Sequence, residues 1–145
     1  GHPKMVYLLA SFFFPEFTSL SKIRIKENGN ISTSDYRTHS YEEIPIQDRI
    51  LDAKLHILTS SQTFSAAEEF VYLMKHLRDA KVIGEKTKGG AHPCSTHHIN
   101  DDFSVCVPNG EIIVSKTNGN WEGTGVLPDI ECCSTEALKT SLKTL

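Results

Sequence analysis

Between Pro3 and Phe14 the apolar residues Met5, Leu8, Leu9, Phe12 and Phe13 fall three or four positions apart, and Pro15 closes the segment. That spacing predicts a helix, with proline tolerated in a first turn whose N–H groups lack partners anyway. From Leu20 to Lys26 the period drops to two: Leu20, Ile23 and Ile25 stand against Lys22, Arg24 and Lys26, as in a half-buried strand. Asn28-Gly29 is a strong hairpin turn into a second, more polar strand over Ile31–Arg37. The polarity of this hairpin predicts an exposed excursion, and the mixed stretch from His39 to Asp52 a return loop.

Lys54–Leu58 reads as a short strand, followed by the polar turn Thr59–Thr63 and a helix from about Ser65 to Arg78. Ala66, Ala67, Phe70, Val71, Met74 and Leu77 give that helix one apolar face. A further strand follows almost at once, at Ala80–Gly84. Strand, helix and strand with short joints make a βαβ unit, hence a parallel pair with a right-handed crossover. A glycine loop (Thr87–Ala91), strands near Phe103–Val107 and Glu111–Val114, turns at Asn109-Gly110 and Asn118-Gly119, and a helix from near Thr135 complete the reading. The class is α/β, in one domain over residues 1–145.

Composition changes this picture little. A length of 145 residues, 39% hydrophobic and 23% charged, suits one domain with a real core. The net charge of −3, with no basic block, gives nucleic-acid binding no electrostatic support. The longest apolar run, Val6 to Phe14, is too short to span a bilayer. The chain opens on Gly1-His2-Pro3 without an initiator Met, so it reads as a fragment or a processed product. Its four cysteines (Cys94, Cys106, Cys132 and Cys133) include no CxxC pair and one adjacent pair, which suits neither one zinc site nor a tidy disulfide framework; they read as free thiols.

Chemistry is expected where the strand at Lys54–Leu58 hands over to its helix, because ligands gather at the carboxyl ends of strands in such units. Ser65 stands there. Unpaired N–H groups and the helix dipole suit a developing oxyanion, and the Ala66 N–H is a natural donor for it. The same four residues, Ser65-Ala66-Ala67-Glu68, also match an S-x-x-E capping box. Local spacing leaves cap and nucleophile both open.

Three ordered stretches reach further: Leu58-Thr59-Ser60-Ser61-Gln62-Thr63-Phe64-Ser65-Ala66-Ala67-Glu68-Glu69-Phe70, Val82-Ile83-Gly84-Glu85-Lys86-Thr87-Lys88-Gly89-Gly90-Ala91, and Asn120-Trp121-Glu122-Gly123-Thr124-Gly125-Val126-Leu127-Pro128-Asp129-Ile130. Together they resemble the C-terminal-processing (tail-specific) serine peptidases, in the branch near tricorn protease and the interphotoreceptor retinoid-binding protein modules. The resemblance covers the chain from about Leu51 onward. Gly1 resembles the last glycine of that family's Asn-x-Gly-Gly turn. The implied fold is a crotonase/Clp-protease-like core of βαβ units with short additional β-hairpins, of which this chain would be the C-terminal part. The implied reaction is peptide-bond hydrolysis, without cofactor or metal, on a protein or peptide substrate. A homo-oligomer is compatible with this, and family habit implies export to the periplasm or outside.

Carried over residue by residue, the resemblance makes Ser65 the nucleophile. Ala66 and Gly1 become oxyanion donors through their backbone N–H groups, and Gly89 and Gly90 part of a substrate-edge loop. It departs from the bacterial serine–lysine dyad, because Gly90 stands where the lysine would be; Lys86 and Lys88 occupy other positions and read as solvated. The tricorn-like branch implies a histidine base with a helping acid. Glu122 matches the acid, and its plain alternative is a polar turn residue. The histidines His2, His39, His56, His76, His92, His97 and His98 match no base position, which implies a base outside this chain. The competing reading is a non-catalytic retinoid- or fatty-acid-binding module of the same fold, lined by the aromatic helix Pro3–Phe14.

Overall fold

The computed structural model describes residues 2–144. In chain order the elements are helix α1 (Pro3–Ser11), strands β1 (Ser19–Glu27), β2 (Asn30–Arg37) and β3 (His56–Thr59), helix α2 (Ala66–Arg78), strands β4 (Lys81–Gly84), β5 (Cys94–His98), β6 (Ser104–Pro108), β7 (Gly110–Val114) and β8 (Ile130–Glu131), and helix α3 (Ala137–Leu142). The βαβ unit is present: β3 pairs with β4 in parallel, and β8 joins the other edge of β4. A second sheet, ordered β2-β1-β7, is antiparallel, and β5 with β6 forms a separate hairpin. The core lies among α1, α2 and these sheets. It is built on Val6, Tyr7, Ala10, Leu20, Ile23, Leu73, Met74, Val82, Val114 and Trp121.

Asn28 and Gly29 both take positive φ (49° and 80°), as a two-residue turn matching the strand twist requires. Helix α2 is well marked at both ends. Glu68 and Glu69 lie in its first turn, Lys75, His76 and Arg78 in its last, and Asp79 closes it in the left-handed region.

Several sequence expectations are corrected. Helix α1 stops at Ser11 rather than running to Phe14, because Phe12 and Phe13 close back on Leu9 and Ala10 in a tighter turn. Its buried face is Val6, Tyr7, Ala10 and Ser11, leaving Met5 and Leu9 exposed. A buried serine there breaks the apolar count but is satisfied, its Oγ donating to the Tyr7 carbonyl and accepting the His39 N–H. The hairpin is no excursion: β1 buries Leu20, Ser21 and Ile23 and pairs along its other edge with β7, while β2 alone stays exposed. The return loop is organised by buried Arg49, whose guanidinium donates to the carbonyls of Ile44, Phe14, His39 and Ser40. Strand β5 is a strand that the polar run Cys-Ser-Thr-His-His did not announce. Its pairing with β6 brings together Cys94 and Cys106, which form a disulfide with their Cα atoms 5.8 Å apart. Cys132 and Cys133 remain free.

Candidate active site

Ser65 is held at the hinge between β3 and α2 by a chain of local bonds. Thr59 at the end of β3 exchanges bonds with Glu85 just past β4: its Oγ1 donates to the Glu85 carbonyl, and its own carbonyl accepts the Glu85 N–H. The Glu85 carboxylate then receives the N–H groups of Ser61 and Ser134, which hold its pKa down at about 2. The turn is closed by Thr63, whose N–H donates to the Ser60 carbonyl and whose Oγ1 accepts the Ser60 N–H.

The backbone of Ser65 sits at φ 59°, ψ −125°. An ordinary helix cap lies in the extended region, so this is not cap geometry. For a residue with a Cβ it is a strained conformation, costing of order 1–3 kcal/mol. Half of the capping box is at full geometry: the Ser65 N–H donates to Glu68 Oε2 at 2.8 Å. The Ser65 hydroxyl approaches the Glu68 N–H in the manner of the box but makes no cap hydrogen bond at full geometry. The Ala66 N–H makes no hydrogen bond among the described residues. A half-buried hydroxyl on a strained turn, beside an N–H without a partner at a helix start, is an arrangement suited to nucleophilic attack on a carbonyl.

Glu68 binds the site together. It is fully buried, and its two oxygens take four donors: Thr87 Oγ1 at 2.5 Å and the Gly89 N–H at 2.6 Å on Oε1, the Ser65 N–H and the Gly90 N–H (2.9 Å) on Oε2. The sequence showed Glu68 only as a partner within the capping box; its three bonds to the glycine loop had no signal, since they span 19 to 22 residues. The N–H groups of Gly89 and Gly90 are thus committed inward, which leaves any substrate-edge role to the outer face of the loop. A Cβ on Gly90 would lie 2.3 Å from the Phe64 ring, so a side chain at this position displaces that ring.

The third stretch closes over the second. Val126 N–H donates to Thr87 Oγ1 at 2.7 Å, Gly123 N–H to the Gly89 carbonyl at 2.9 Å, and Trp121 Nε1 to the Gly90 carbonyl at 3.1 Å. Gly89 and Gly125 both have positive φ, and a Cβ on Gly89 would stand 2.8 Å from the Gly125 nitrogen. Glu122 Oε2 accepts the N–H groups of Ala91 (2.6 Å) and His92 (2.9 Å), with His92 Nδ1 at 4.0 Å. Partial desolvation pushes the Glu122 pKa up, but those two N–H groups and the His92 ring outweigh it and hold the carboxyl below its usual range. Glu122 is therefore a brace for the loop that leads to His92. Gly1 lies outside the described residues. Among the described residues no group of three or more His, Cys, Asp or Glu is placed to hold a metal ion, and no helix is long and apolar enough to cross a membrane.

A second carboxyl, Glu69, is buried one position further along α2. Tyr7 donates to it at 2.6 Å, and the Ser21 hydroxyl lies 3.3 Å from Tyr7. Burial lifts the Glu69 pKa to about 7, against the opposite pull of Tyr7 and Ser21. A carboxyl raised above its unfolded value favours folding fully below that unfolded value, and the contribution is lost as pH rises through the folded pKa. Glu69→Gln is accordingly expected to gain stability relative to the parent between about pH 5 and pH 8, read as the difference in urea midpoints. A difference independent of pH would show that Glu69 titrates as an ordinary carboxyl.

Comparison with known proteins agrees with the three assembled stretches. Residues 5–132 match the family model described as peptidase family S41. Among solved structures, the chain is similar to the photosystem II D1 C-terminal processing protease (TM-score 0.68, 18% identity, 92% of this chain and 32% of that one). It is also similar to a lipoprotein from Streptococcus agalactiae (0.62, 22%, 100% and 50%) and to mature CPAF complexed with lactacystin (0.72, 12%, 99% and 40%). At such identities the likeness shows the fold. The chain spans only a third to a half of the length of these proteins.

Proposed function

Because the chain belongs to peptidase family S41, we propose that it is the serine-bearing, C-terminal part of a peptidase core and that Ser65 attacks the scissile carbonyl of a protein or peptide. The observation that carries this reading is the Ser65 backbone, strained at φ 59° without serving as an ordinary cap. Ser65 Oγ bonds to the carbonyl carbon while its proton passes to a base. The carbonyl oxygen takes up negative charge beside the Ala66 N–H, with Gly1 as the second donor. Collapse breaks the C–N bond, the base returns the proton to the departing amine, and an ester on Ser65 remains for water to hydrolyse. The base is a histidine supplied from outside this chain, and Glu122 acts on the site through the loop it braces.

One observation favours a second reading. An open apolar groove of about 430 Å³ between α1 and α2, walled by Met5, Leu9, Leu58 and Phe70, suits a retinoid or fatty acid. Treating the full-length protein with a fluorophosphonate probe separates the two. The peptidase reading expects a label on Ser65, located by mass spectrometry; tight binding of retinoid or fatty acid with no label would sink it.

A further inference from the structure

Beneath Ser65 lies a small cleft of about 70 Å³, separate from the apolar groove between the helices. Ser65, Gly90 and Pro93 border it half-buried and His92 exposed, whereas Ala66, Glu69, Ala91, Ile112 and Trp121 are buried, so the cleft runs inward from a mouth that Ser65 shares with His92. Its walls come from α2, from β7 and from the loop that Glu68 and Glu122 fasten. They are therefore fixed before any substrate arrives.

Two properties define what the cleft accepts. It is too small for an aromatic ring or a long aliphatic chain, and its walls are mostly apolar. Its one ionisable buried wall is Glu69, 1% exposed. Ionised, its carboxyl offers about four acceptor positions, and protonated it keeps acceptor positions beside its O–H; among the described residues Tyr7 is the donor bonded to its oxygens, at 2.6 Å. Acceptor capacity is left over beside a cavity, where a ligand that brings a donor would use it.

We propose that this cleft receives the substrate side chain immediately before the scissile bond, and that Glu69 selects there a short side chain that donates a hydrogen bond, serine or threonine. The inference rests on Ser65 being the nucleophile. The carbon bearing that side chain is bonded to the carbonyl carbon under attack, so it is brought to Ser65 and Ala66, both of which border the cleft. The shape limits length, and the unused acceptor separates threonine from valine, which has the same outline without the donor.

The test uses the full-length protein and peptides that differ only at this position, carrying Thr, Ser, Val, Leu or Phe. Thr is expected to exceed Val in kcat/KM by about tenfold or more, with Leu and Phe lower still. In Glu69→Met no polar partner is left in the cleft, Tyr7 keeps the Ser21 hydroxyl as its neighbour, and the Thr/Val ratio is expected to fall toward one. Ile112→Val lengthens the cleft by a methyl group and is expected to raise the Leu/Val ratio by about tenfold. It stands as the second measurement should Glu69→Met fail to fold. Ratios unmoved in these variants while Ser65 still takes a fluorophosphonate overturn the subsite and leave the nucleophile standing. Absence of labelling at Ser65 in the parent overturns the nucleophile, and the subsite with it.

Discussion

Ser65→Gly is expected to destroy activity and at the same time to stabilise the protein. Loss of the nucleophile in serine hydrolases lowers kcat by about 10⁴–10⁶-fold, and no other hydroxyl takes its place at the start of α2. The stability effect has the opposite sign because glycine adopts φ 59°, ψ −125° without the penalty that a Cβ incurs. Relief of about 1–3 kcal/mol is available, offset in part by the greater freedom of glycine in the unfolded chain. Ser65→Ala separates the two effects: it keeps the Cβ and the strain, so activity is lost with stability little changed. If Ser65 were an ordinary cap, its replacement by alanine would cost about 1 kcal/mol and by glycine only a few tenths. Urea unfolding of the three proteins, together with turnover of a peptide substrate, reads both arms. A Ser65→Gly variant less stable than Ser65→Ala would show that the backbone strain is not what sets this position apart.

The second large effect is expected at Glu68. In Glu68→Gln one oxygen becomes an NH2 group, which cannot accept, so two of the four donors at Ser65, Thr87, Gly89 and Gly90 lose their partner. Each buried N–H left without a partner costs about 1–3 kcal/mol, and the bonds lost were to a charge. A loss of about 3–5 kcal/mol in unfolding free energy follows. The same change releases the glycine loop from the serine turn, and a displacement of about 1 Å at a reacting centre can lower turnover by about 100-fold. Stability within 1 kcal/mol of the parent, about the cost of one ordinary bond, would show that the four contacts are not a unit.

The sequence was most legible where structure is local. The βαβ unit around α2 and the Asn28-Gly29 turn each follow from spacing within a few residues, and the structure has them near the expected positions. Peptidase family membership was legible from three short stretches, which fold into one mutually bonded cluster. What escaped lies in long-range pairing. Nothing near Leu20–Lys26 announces that Ile23 will face Ile112, so a central strand read as an outlying one. The disulfide needed the register of β5 against β6, and β5 has no apolar alternation to reveal it. Buried polar residues misled twice: Ser11 blurred the inner face of α1, and Glu68 and Glu69 are buried in α2 although neither belongs to the apolar face that its spacing predicts.

The close approach of Gly89 and Gly125 has a consequence for how this chain can change over generations. A Cβ on Gly125 would meet the Thr87 carbonyl oxygen at 2.2 Å, and one on Gly89 the Gly125 backbone nitrogen at 2.8 Å, whereas Gly123 between them in the fold has open space around it. Backbone atoms cannot step aside as a side chain can, so no single substitution at either position is rescued by a neighbour's rotamer. Drift is therefore closed at 89 and 125, while at 123 the left-handed φ of 67° narrows it to glycine and the residues such as Asn and Asp that tolerate that region, and descendants that keep this wall inherit its two glycines as a pair.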